Sequence, residues 1–125
     1  MHEAVTHTAF FGDQQRDFVL TAPMVLELER VTGSGIGSII KRVIARDYTA
    51  SEITQTIRLA LIGGGTSPED ADALIRAYVH PRPLAEAYSL ALEILEVRML
   101  VKSLDANASD LQIIAQTEGA EDAAE

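Results

Sequence analysis

The chain has 125 residues and no cysteine, and its 10 Lys and Arg stand against 19 Asp and Glu for a net charge of −9. A domain of this size can bury about two thirds of its unfolded surface, so one core suffices and neither disulfides nor thiolate metal sites are available. The acidic balance disfavours binding to phosphate backbones, and no apolar run approaches the ~18 residues of a membrane span.

The opening Met1-His2-Glu3-Ala4 lacks the basic and apolar regions of a signal peptide. A cytoplasmic protein that contacts neither nucleic acid nor membrane is therefore expected. The first twenty residues read as a β-hairpin. Val5–Phe11 and Arg16–Thr21 are rich in Val, Thr and Phe, and Gly12-Asp13-Gln14-Gln15 supplies turn chemistry. Phe18 and Leu20 alternate with Val19, which lets one face of the second strand lie on the helices.

Everything after the hairpin reads as helix. Pro23 opens the first, over about 23–31, since proline lacks an N–H that would be unpaired there anyway. Met24, Leu28 and Val31 recur at helical spacing before Thr32-Gly33 stops it. Ser34 is the expected cap of a second helix with the apolar stripe Ile36, Ile39, Ile40, Val43 and Ile44. Lys41, Arg42 and Arg46 lie on its other side, either as a solvated face or as a contact for an acidic partner, and Asp47-Tyr48 ends it.

Thr49 and Glu52 have capping-box spacing and open a third helix, with Ile53, Ile57, Ala60 and Leu61 on one face. Gly63, Gly64 and Gly65 then break the pattern, which predicts a helix–helix corner with at least one positive φ. A phosphate cradle is the weaker reading, because a helix leads in and no Gly-Lys-Ser/Thr follows. Ser67-Pro68-Glu69-Asp70 starts the fourth helix with a cap, an N1 proline and two acids suited to its dipole. Its stripe is Ala71, Leu74, Ile75 and Tyr78, and His80-Pro81-Arg82-Pro83 closes it.

The fifth helix, from about Pro83 to Leu104, is apolar on two sides. Leu84, Tyr88, Ala91, Leu95 and Met99 form one stripe, and Leu90, Ile94, Val97 and Val101 form a second. A surface helix of a small domain ordinarily carries one. Either this helix is central, or its second stripe meets another chain, and Leu90, Ile94, Val97 and Val101 recur at the spacing of a helix–helix seam. That set is the candidate partner interface. Beyond Leu104 lie six acids and no base, with one small cluster of Leu111, Ile113 and Ile114.

The fold class is thus mainly α (α+β): an N-terminal β-hairpin followed by a compact bundle of about five helices in one domain over residues 1–104. Residues 105–125 are expected to form an acidic, largely disordered tail. His2, His7 and His80 have no ligand spacing, Asp70 and Asp72 diverge on a helix, and no hydrolase, zinc or P-loop pattern occurs. The residues imply no enzyme, no metal and no cofactor.

The order of parts carries a resemblance. A hairpin with a glycine turn leads to Leu26-Glu27-Leu28-Glu29, then to Gly33-Ser34-Gly35 and an isoleucine-rich helix. Ile57-Arg58-Leu59-Ala60-Leu61-Ile62-Gly63-Gly64-Gly65, Glu69-Asp70-Ala71 and a final Pro83-Leu84 helix follow. Over roughly Val5 to Leu104 this resembles the phage tail protein family of gene transfer agents and related tailed phages, whose members are described as tail assembly chaperones and also as tail tube proteins. Its opening departs from the family pattern, with His2-Glu3-Ala4 where Arg-Gly-Glu is usual. The resemblance implies a cytoplasmic assembly helper that shields the hydrophobic tape-measure protein until tube subunits polymerise around it. It leaves room for a homo-oligomer. A structural tail component, in the tube or at a connector, and a small helical adaptor or regulator are the alternatives.

Overall fold

In a computed structural model that describes residues 6–99, strands β1 (His7–Phe11) and β2 (Gln14–Phe18) pair antiparallel and four helices follow. These are α1 (Ala22–Thr32), α2 (Ile36–Ile44), α3 (Ala50–Gly63) and α4 (Pro68–Tyr78). A fifth, α5, is described over 84–99. The predicted hairpin and five helices are all present. The expectations for Val101, for Leu111, Ile113 and Ile114, and for a disordered tail over 105–125 lie outside the described residues.

The hairpin is tighter than its sequence suggests. Phe11 pairs with Gln14, so only Gly12 and Asp13 form the turn, with φ of 74° at Gly12. A positive φ at the first central position matches the right-handed twist of the flanking strands, and glycine adopts it without a Cβ penalty. Gln14 and Gln15 therefore belong to β2. The ladder ends at Phe18, where the Val19 N–H leaves the hairpin and donates to the Ala60 carbonyl at 2.9 Å. Phe18, Val19 and Leu20 are consequently all buried, and the alternation expected of them fails.

Local signals set most helix starts. The Thr21 hydroxyl accepts from the Met24 N–H, and the Ser67 hydroxyl accepts from the Asp70 N–H at 3.1 Å. Thr49 and Glu52 complete the capping box in both directions, at 3.0 and 3.1 Å. Ser34 does not cap α2. The N-cap is Gly35, and the Glu29 carboxylate, reaching from α1, accepts from the Ile36 N–H at 2.8 Å. A charged acceptor from the preceding helix outcompetes the adjacent hydroxyl. Arg46 ends α2 at φ 62°, with Arg46 N–H to Val43 C=O and Asp47 N–H to Arg42 C=O closing a Schellman-type turn.

The central helix is α3, not α5. Ile53, Thr56, Ile57, Leu59, Ala60 and Leu61 are buried around its circumference, because it packs against α1, α4 and β2 together. Around it lie Phe18, Leu28, Ile39, Val43, Ala71, Ile75, Ala91 and Leu95. Ile44, expected in the α2 stripe, is 57% exposed at the helix end, and Leu84 and Met99 at the two ends of α5 are also exposed. The α5 contact on the core is its middle: Ala87, Tyr88, Ala91, Ile94 and Leu95.

The glycine corner holds the fold together at one point. The chain turns at Gly65, where φ is 112°, and the Gly65 and Thr66 N–H groups bond back to Ile62 and Leu61 C=O at 3.0 and 2.9 Å. Gly63 and Gly64 have a different task. A Cβ on Gly63 would collide with the Val19 carbonyl oxygen, and one on Gly64 with the Asp17 carbonyl oxygen. Backbone touches backbone there, and β2 is thereby set against the end of α3.

Candidate partner interface

The candidate interface set divides. Ile94 is 2% exposed and faces the core, so it is not available to a partner of the folded chain. The correction follows from α5 crossing the core at its middle, which turns the Ala87–Ala91–Ile94–Leu95 face inward. Leu90 and Val97 are half-buried on the flank of that face, and Val101 lies outside the described residues. The four do not form one exposed seam.

Leu90 instead lines an open groove of about 470 Å³ between the hairpin and α5. Its hairpin wall is Ala9, Phe10, Phe11 and Gly12, and its α5 wall includes Glu86, Ser89 and Glu93. Phe10 is the outlying feature, an aromatic side chain left 66% exposed. Period-two alternation forces this, since Phe11 is committed inward, packing edge-on against Phe18 at 5.7 Å and Tyr78 at 6.0 Å between ring centroids. Adjacent Phe10 and Phe11 in a strand are the sequence signal for the exposed aromatic, a signal that the α5 stripes do not contain.

Both ends of the groove are fastened. At the turn, Gly12 lies on Tyr78 so closely that a Cβ there would come within 2.6 Å of the ring. At the other end, His7 Nε2 lies 3.1 Å from Glu93 Oε1, a hydrogen bond in the Nε2–H tautomer. Arg82 grips Glu86 with two donors at 2.8 and 3.2 Å. That hydrogen-bonded pair holds the Glu86 carboxyl below the usual carboxylate range and raises Arg82, so both stay charged on the groove rim.

The basic cluster on α2 is mostly engaged within the molecule. Arg42 pairs with Glu52, which is 3% exposed and also caps α3, and the Arg46 guanidinium lies over the Tyr88 ring at 5.4 Å. Tyr88 stacks on Tyr48 and donates its hydroxyl to Val43 C=O at 3.0 Å. Lys41 remains exposed. Among the described residues no group of three or more His, Asp or Glu could hold a metal ion, and no helix is long and apolar enough to cross a membrane.

The profile of the family described as "Phage tail tube protein, GTA-gp10" aligns with residues 4–100, which includes the hairpin, the glycine corner and the described part of α5. No curated protein and no solved structure matches the chain.

Proposed function

The chain belongs to the phage tail tube protein, GTA-gp10, family, and on that premise we propose that it is a non-enzymatic tail assembly chaperone that shields apolar segments of the tape-measure protein. The observation that carries this reading is the groove: Phe10 at 66% exposure and half-buried Leu90 both line an open cleft. Exposed apolar surface rimmed by charge is the usual mark of a protein contact. The rim charges and the net charge of −9 keep a complex with an apolar client dispersed.

The family description favours a second reading, a structural part of the tail tube or of a connector. A tube wall is built by sheets that continue from subunit to subunit. Among the described residues the sheet has two strands of five residues each, which is little for that task. Mass spectrometry of purified tail particles separates the two. A chaperone is absent from finished particles or present far below tube stoichiometry. Recovery at tube stoichiometry would establish the structural role.

A further inference from the structure

One main-chain edge of the hairpin is open. In an antiparallel hairpin with a two-residue turn, the pair flanking the turn exchanges both hydrogen bonds, and bonded and non-bonded pairs then alternate. Phe11 pairs with Gln14, Ala9 with Arg16 and His7 with Phe18, so these use their N–H and C=O groups within the hairpin. Thr8 and Phe10, opposite Asp17 and Gln15, turn theirs outward. The far edge, on β2, is covered: the Asp17 carbonyl lies on Gly64, and the exit of the strand bonds to Ala60. Among the described residues, no hydrogen bond reaches the outward groups of Thr8 and Phe10.

Such an edge is ordinarily protected by lysine, proline or a bulge. His7-Thr8-Ala9-Phe10-Phe11 contains none of these. The edge borders the groove, and α5 forms the opposite wall. A cleft of about 470 Å³ is of the size of a small-ligand site. Glu86 and Glu93 stand on the α5 wall, with Arg82 already held by Glu86. The Glu93 side chain keeps 55% of its surface exposed beside His7. With Arg82 and Glu86 offsetting each other, the remaining charged side chain lining the cleft is Glu93, which is negative and bonds His7.

We propose that β1 recruits its partner by strand addition: an extended segment with apolar residues at alternate positions pairs with Thr8 and Phe10, and a lysine or arginine of that segment meets Glu93. The main chain supplies affinity that depends little on sequence, and the apolar lining of the groove, Ala9 and Leu90 included, selects apolar side chains. This rests on the reading of the groove as the client site and names the chemistry of the client.

The test uses the full chain and a fluorescein-labelled peptide of alternating valine and threonine ending in lysine, followed by anisotropy. Methylating the peptide nitrogens that face β1 removes their donors while leaving the protein untouched. Thr8→Pro removes an outward N–H that the hairpin ladder does not use, a position where proline is tolerated. Each change is expected to weaken binding by about tenfold or more, as is exchanging the terminal lysine for glutamate. If Thr8→Pro fails to fold by circular dichroism, the methylated peptide decides alone.

Equal binding of the methylated peptide overturns the proposal. So does tighter binding of a helix-forming leucine–alanine–lysine peptide. A wild-type dimer that Thr8→Pro dissociates gives the edge to a second copy, and a tenfold gain in affinity on removing residues 105–125 gives it to the chain's own segment. Either result overturns it. Tape-measure protein that co-purifies equally with wild type and Thr8→Pro would refute strand addition and leave the chaperone reading standing. Peptide binding without any tape-measure capture would do the reverse.

Discussion

Gly63, Gly64 and Gly65 show how far single residues can be read in advance. Three glycines in a row predict a corner, and Gly65 supplies its positive φ. The other two are glycine for a reason that no local pattern contains: the carbonyls of Val19 and Asp17, more than forty positions earlier, occupy the space of their Cβ atoms. Gly63→Ala and Gly64→Ala are expected to cost about 3 kcal/mol or more, because the obstacle is backbone and cannot rotate away. Gly65→Ala, which meets no neighbour, should cost about 1–2 kcal/mol from φ strain alone. Urea unfolding of the three variants gives the order directly, and a larger loss at Gly65 would contradict it. Glu52 is a second case. Its capping role was legible from Thr49-x-x-Glu52 spacing, but its burial beside Arg42 depends on how α2 meets α3. Arg42→Met leaves a buried carboxylate without its cation and should destabilise by about 2–4 kcal/mol. Unfolding midpoints check this, and an unchanged midpoint would show that the pair contributes nothing.

Among the elements, the existence and type of the hairpin and five helices followed from periodicity and caps, with Gly35 rather than Ser34 at the start of α2. Orientation did not follow. Two apolar stripes left α5 as either a central helix or one with a partner face, yet α3 is the helix enclosed by α1, α4 and β2. A stripe records which side chains avoid water, not how many neighbours share them. Ile94→Asp should therefore unfold the domain, costing about 3 kcal/mol or more, while Leu90→Asp and Val97→Asp should each cost about 1 kcal/mol and leave the circular dichroism spectrum intact. A folded Ile94→Asp variant would return that residue to the surface. Acid titration probes the helix surfaces. Arg30 on α1 and Arg82 before α5 hydrogen-bond Glu27 and Glu86, which holds both carboxyl groups below their ordinary pKa of 4.5. A depressed carboxylate adds stability above its unfolded pKa and loses it as pH falls through the folded value. The contribution of these pairs should thus be fully present and independent of pH near neutrality, and be lost as pH falls through and below 4.5. Glu27→Gln with Glu86→Gln should flatten that decline in a melting-temperature series, and an unaltered slope would exclude the pairs as its source.

For the whole molecule, composition excluded more than it assigned. The family is shown by the profile over residues 4–100, and the order of hairpin, glycine corner and final helix already resembled it. What the sequence did not disclose is the groove that we propose as the partner site. The groove exists because the tight Gly12-Asp13 turn seats β1 on Tyr78 while His7 reaches Glu93 on α5, and these contacts join positions more than sixty residues apart. Among the described residues, Leu90 is the one member of the predicted interface that lines it. The most direct test of the chaperone account is co-expression with the tape-measure protein, scored as the fraction of tape-measure protein that stays soluble and co-purifies. Wild type should retain it, and Phe10→Asp with Leu90→Asp, folded by circular dichroism, should release it into the pellet. Equal retention by the folded double variant, or no retention by wild type, would contradict the account.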